Sequence, residues 1–198
     1  MILTDKKIRE LTERNQLIHP FDESHLQSES YDLTIGTELV VMKKELRCLD
    51  ISKQDSIDGI YQKLPISKEG YTVSPKQYVL ISLAEYIKLP ENLTAHLRPK
   101  TRYTRLGMLV SAQHCNSTYA GHLWIGLFNA TEYPVRIYPG YTIAQIVFEE
   151  LDGIPSESKS YKNKKNAHYQ NEDNVFRGAK FDDELLNSIW NQILEEDE

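Results

Sequence analysis

Between His122 and Phe148, three short apolar stretches are separated by turn residues. That series restricts the chain to an all-β sandwich or barrel. His122 to Asn129 places Leu123, Ile125 and Leu127 on one side and Trp124, Gly126 and Phe128 on the other, the two-residue period of a strand buried on both faces. Val135 to Tyr138 follows a proline, and Pro139-Gly140 then marks a tight turn. Thr142 to Phe148, rich in β-branched residues, closes the series.

The stretches before it supply further elements. Thr4 and Asp5 suit the start of a short helix that presents Ile8 and Leu11 on one face and ends before Asn15. Tyr31, Leu33 and Ile35 alternate with Asp32 and Thr34 as a strand ended by Gly36, and Leu39 to Met42 reads as a separate one. Lys43 to Pro75 is polar and reads as hairpins and loops; YVLISL, inside Gln77 to Leu89, is an apolar strand. Leu93 to Leu97 delivers the chain to a basic helical turn, Lys100 to Arg105, and an apolar run follows from Met108 to Ala112.

Composition narrows the function classes. A chain of 198 residues with 40% hydrophobic content can build one sizeable core. With a formal charge of -6, duplex nucleic acid is not an expected partner, so an anionic ligand has to meet a local cluster such as Lys100, Arg102 and Arg105. The bland account of that cluster is a solvated helix face. Cys48 and Cys115 offer neither a disulfide framework nor zinc-ligand spacing, and the H-x-E and C-x-x-C arrangement of zinc cytidine deaminases is missing. No apolar run reaches the length of a signal core or membrane span, so a cytoplasmic location is expected.

An ordered set of short motifs then points further: TDKKIRE, HPFD, SYDLTIG, TRLG, YAGHLWIGLFN, YPG and QIVFEEL. In order and spacing, residues 1 to 172 resemble the dCTP deaminase branch of the trimeric dUTPase fold family. The resemblance implies a mainly β fold, a distorted barrel or jelly roll of the dUTPase type with a short N-terminal helix. It also implies a homotrimer, a deoxynucleoside triphosphate as ligand, and Mg²⁺ brought by that nucleotide.

Site residues carry over position by position. The family's G-R-S-S-x-A-R segment is here Pro99, Lys100, Thr101, Arg102, Tyr103, Thr104 and Arg105. Lys100 keeps the charge of the family's phosphate-contacting Arg without its bidentate fork. Thr101 keeps a hydroxyl, Arg102 adds a charge, and Arg105 keeps the second Arg; Thr101 and Arg105 would position the attacking water. Ala112 and Asn116 fall at nucleotide-binding positions. The general acid and base of dCTP deaminases, a Glu, corresponds to Gly126, and the water-orienting Asp of dUTPases corresponds to Asn116. Glycine cannot move a proton, and an amide is a poor base. His114, in the neighbouring loop, is a candidate replacement whose bland account is a structural loop histidine.

Beyond Leu151 the composition alone reads as a disordered tail. By resemblance, YKNKKNAHYQ is a nucleotide-closing segment that contributes Tyr161, His168, Tyr169 and Gln170. From Phe181 onward, Leu185, Ile189 and Ile193 form one i, i+4 row beside Leu186, Trp190 and Leu194, an amphipathic helix able to dock on its own domain, a neighbouring subunit or another protein. The expected division is a β domain at 1–155, a closing or flexible tail at 156–180, and a terminal helix at 181–198. Three functions fit: a deoxypyrimidine triphosphate hydrolase of the dCTP deaminase type with impaired catalysis, a non-catalytic nucleotide-binding regulator, and an oligomeric scaffold.

Overall fold

The computed structural model describes residues 1–45, 47–172, 175–181, 188–189 and 191–193. In chain order its elements are α1 (Asp5–Asn15), β1 (Ile18–His19), β2 (Tyr31–Met42), α2 (Gln54–Ile57), β3 (Tyr61–Pro65), β4 (Tyr71–Val73) and β5 (Tyr78–Lys88). They continue with β6 (Leu93–Pro99), α3 (Thr101–Leu106), β7 (Met108–Val110), β8 (His114–Cys115), β9 (Ala120–Asn129), β10 (Val135–Ile137) and β11 (Thr142–Glu150). Seven strands run antiparallel in the order β7-β9-β5-β2-β11-β6-β8, with β1 added on β5 and β3 on β2.

The fold is mainly β, one long curled sheet around an apolar interior. Ile35, Leu83, Ile125, Leu127, Ile146 and Phe148 supply alternate side chains to that interior, and α1 adds Ile8. The short N-terminal helix follows Thr4 as expected, although no side-chain bond caps it.

Three expectations change. Gly36 does not end a strand, because β2 runs through it to Met42. A Cβ there would lie 2.5 Å from Ser82 Oγ and 3.0 Å from the Ser82 carbonyl oxygen, so the glycine serves a close approach of β5. The β2–β5 register shifts between Ile35 and Leu39. Beside that irregularity the Thr34 N–H donates to both oxygens of buried Glu85, at 3.0 and 3.2 Å, and the Thr34 hydroxyl donates at 2.7 Å. Burial raises the Glu85 pKa, and the three Thr34 bonds oppose that shift.

The second change concerns Val135–Ile137, which pairs with Tyr71–Val73 in a separate two-stranded ribbon rather than continuing the series of β9 and β11. The third concerns β9. Leu123, Ile125 and Leu127 are buried, whereas Trp124 and Phe128 are half-buried on the opposite side.

Near the C-terminus, Ser188, Ile189, Asn191, Gln192 and Ile193 are helical, with both isoleucines exposed. Leu185, Leu186, Trp190 and Leu194 of the expected stripe lie outside the described residues. Among the described residues no helix is long and apolar enough to cross a membrane.

Candidate functional site

The basic turn is built where β6 ends. The Lys100 N–H donates to the Ile143 carbonyl at 3.0 Å, the Lys100 carbonyl accepts from Tyr103 N–H at 3.0 Å, and buried Tyr103 anchors α3. The Lys100 side chain turns inward: its Nζ lies 2.7 Å from both oxygens of Asp32 on β2, with 17% and 9% of the two side chains exposed. Thr101, Arg102, Thr104 and Arg105 are exposed. Arg102 and Arg105, three residues apart on a helix, share a face. The turn thus presents two guanidinium groups and two hydroxyls outward, while its lysine is committed to a carboxylate.

A second region lies on the outer side of β5 and β9, under residues 160–172 and 175–181. A cavity of about 510 Å³ is bordered there by Tyr78, His114, Asn116, Trp124, Tyr161 and Glu172, among others. The tail is held in place by backbone pairing. Asn171 N–H donates to Ala120 O at 2.8 Å, His122 N–H donates to Glu172 O at 3.1 Å, and Gly121 forms a parallel bridge with Glu172. Further along, Gln54 donates to Ala179 O at 3.1 Å and accepts from Phe181 N–H at 2.9 Å. These bonds set the Phe176 ring edge-on to Trp124 (centroids 5.0 Å, planes 66° apart) and to Tyr61 (5.2 Å, 70°). The Trp124 face is therefore covered by the chain's own tail.

The sequence-based site residues separate into groups. His114, Asn116 and Tyr161 border the cavity together; the residues of α3 do not border it. Ala112 is exposed on the link between β7 and β8. His168 accepts from Arg177 Nη1 at 2.5 Å through its carbonyl. Gln170 spends its side chain on the backbone, accepting from Ala120 N–H at 3.2 Å and donating to Thr118 O at 2.9 Å. The His114 ring stands 4.9 Å from the His96 ring, with Nε2 at 3.5 Å from Thr94 Oγ1.

Gly126 lies on β9 among these residues. Gly126 N–H donates to Ser111 Oγ at 2.8 Å and its carbonyl accepts from Ser111 N–H at 2.9 Å. The space a side chain would take holds the Tyr78 hydroxyl, and two ring carbons of Tyr78 lie 2.9 Å from the Cβ position. Tyr78 therefore occupies the volume that a side chain at position 126 would take.

Sequence reasoning passed over Glu172. It is 5% exposed, its Oε1 accepts from the Arg177 N–H at 2.5 Å, and burial pushes its carboxyl up to about 7 against that bond and the Arg177 charge. The local sequence NEDNV reads as solvated loop, and only docking of the tail buries the carboxylate. Cys115, also at the cavity, is a thiol pushed up to about 12 by burial, which removes it as a neutral-pH nucleophile.

A family model described as dCTP deaminase-like matches residues 2–151. The chain belongs to the dCTP deaminase-like family. Among its relatives, the "dCTP deaminase, dUMP-forming" of Persephonella marina is 35% identical over 154 residues, covering 77% of this chain and 85% of the relative. The protein of the same description from Hydrogenobaculum sp. is 36% identical over 158 residues, covering 79% and 86%. In fold, this family member is similar to the 2'-deoxycytidine 5'-triphosphate deaminase of Agrobacterium tumefaciens, with a TM-score of 0.61 at 21% identity. That alignment covers 79% of this chain and 50% of the longer one.

Proposed function

We propose that this dCTP deaminase-like protein is cytosolic, forms a homotrimer, binds a deoxypyrimidine nucleoside triphosphate, and turns it over slowly or not at all. Gly126, with Tyr78 filling the place of a side chain, carries the reading of impaired catalysis. The family reaction adds water to C4 of cytosine and expels ammonia, so dCTP and water give dUTP and ammonia. Thr101 and Arg105 would position that water; a proton must pass from it to the leaving amino group, and glycine offers no group to carry it. The names of the relatives, dUMP-forming dCTP deaminases, support dCTP as the ligand.

Arg102 and Arg105 are the groups expected to meet phosphate, because guanidinium forks match phosphate oxygens in pairs. Mg²⁺ enters as the ion that the triphosphate carries. Asp32, the carboxylate nearest the basic turn, is committed to Lys100 and does not fit as a metal ligand. A non-catalytic regulator that keeps the nucleotide site is the second reading, favoured by the same glycine.

Two measurements test these statements. In a nucleotide panel with binding and turnover read separately, dCTP is expected to bind more tightly than dCMP, and Arg105→Ala to weaken dCTP about tenfold or more, the scale of a lost charge-assisted pair. Equal binding of the two nucleotides, or none, would shift the weight to a scaffold role. For assembly, exposed Leu106, Leu109 and Tyr141 on and beside α3 and β7 suit a subunit contact. Light scattering at micromolar concentration should give three times the chain mass, and a monomer would remove the trimer from the proposal.

A further inference from the structure

We propose that His96 and His114 form a two-imidazole site for a divalent transition-metal ion of the Zn²⁺, Ni²⁺ or Cu²⁺ class, on the outer face of the sheet where β6 carries the edge strand β8. The two residues are direct cross-strand partners in the antiparallel β6–β8 pair. Directly opposed residues send their side chains to the same face, and here the ring centroids stand 4.9 Å apart. The His96 side chain is 29% exposed and His114 is exposed, so an ion reaches both from solvent. The site uses neither α3 nor the Mg²⁺ of a nucleotide, and it stands independently of the triphosphate reading.

The neighbouring acceptors decide which ring nitrogens are available. Thr94 Oγ1 donates its proton to the Cys115 carbonyl at 2.8 Å, so toward His114 Nε2, 3.5 Å away, it can only accept. Glu149 Oε2 lies 3.5 Å from His96 Nε2, and a carboxylate likewise accepts. Both contacts place the proton of the neutral ring on Nε2 and leave a lone pair on Nδ1. Neither Nδ1 has a hydrogen-bond partner among the described residues. An imidazole held through one nitrogen and open at the other is the arrangement of a metal-bound histidine. Among the described residues no three His, Cys, Asp or Glu side chains form a closed metal cage. The pair is therefore an open site, with water in the remaining positions. Imidazole nitrogens favour the later first-row ions over Mg²⁺, which takes oxygen ligands. A bound ion would clip β8, a strand of two residues at the end of the sheet, to β6.

Calorimetry of the full chain, stripped with EDTA and titrated with Zn²⁺ alone, tests the site. Zn²⁺ is expected to bind, and a large excess of Mg²⁺ should not displace it. His96→Ala and His114→Ala should each weaken Zn²⁺ about tenfold or more, since even the loss of an outer partner of a metal-bound histidine costs roughly 10- to 100-fold. His96→Gln, which keeps a polar side chain on the same face, should show the same loss and guards against a folding defect in the alanine variant. Cys48→Ser and His122→Ala, which remove a thiol and an imidazole elsewhere, should leave the affinity unchanged. Zn²⁺ should also raise the melting temperature of the unmodified chain, and that rise should vanish in His96→Gln. No Zn²⁺ binding, displacement by Mg²⁺, or equal affinity in the unmodified chain and either histidine variant would each overturn the proposal.

Discussion

Given saturating dCTP, the unmodified protein is expected to release ammonia on the order of 10²- to 10⁴-fold more slowly than a dCTP deaminase that carries a carboxylate on the matching strand, the usual contribution of a general acid or base. The expectation rests on one backbone position. Gly126 has no group to accept a proton from water, and Asn116 has no basic oxygen to replace it. Burial keeps Cys115 protonated. A coupled assay for ammonia, run beside one for uracil nucleotides, reads the result, and turnover at the rate of a carboxylate-bearing relative would refute the reading.

Restoring the carboxylate is less simple than the strand period implies. In Gly126→Glu the new Cβ meets the Tyr78 hydroxyl and ring. Tyr78 is 44% exposed, so its ring can swing toward solvent, but the new carboxylate then enters a half-apolar cleft beside Trp124. The single variant is expected to lose stability with little gain in rate. Gly126→Glu combined with Tyr78→Ala returns the volume and should recover at least tenfold of the deaminase rate. If the double variant folds, binds dCTP and remains as slow as the unmodified chain, the deficit lies elsewhere than at position 126.

The largest stability effect is expected at Lys100. Lys100→Met leaves Asp32, 9% exposed, as a buried carboxylate without its cation. Breaking a buried pair in this way costs about 3–5 kcal/mol. For a chain of this size that corresponds to a fall in melting temperature on the order of 10 °C. Lys100→Met with Asp32→Leu removes both charges and should regain most of the loss, since a buried ion pair is often no better than apolar packing. Arg105→Ala, on the exposed side of the same turn, should stay within about 0.5 kcal/mol of the unmodified protein. An unchanged melting curve for Lys100→Met would show that the pair carries no such weight. With the pair as described, weaker nucleotide binding in that variant reflects a disturbed turn, and Arg105 is the proper probe of phosphate contact.

Local pattern made much of this protein legible. The period of two in His122–Asn129 and in YVLISL, the apolar spacing of α1, and the run of charges in α3 each follow from a few neighbouring residues, because helix and strand periods are local properties. The glycine between Trp124 and Phe128 was likewise visible in the strand itself. Tertiary structure decided what depends on partners far along the chain. Gly36 looked like a terminator until the crossing of Ser82 gave it a different purpose. Val135–Ile137 could not announce that it pairs with Tyr71–Val73, since an edge of exposed N–H and C=O groups accepts any strand that the turns bring near. Lys100 reads as a surface charge in its helix and becomes internal only because Asp32, 68 residues earlier, lies beneath it. Glu172 acquires its raised pKa from the same kind of cause: a polar tail segment becomes a cavity wall when its backbone pairs with β9, and burial then penalises a charge that the sequence leaves in water.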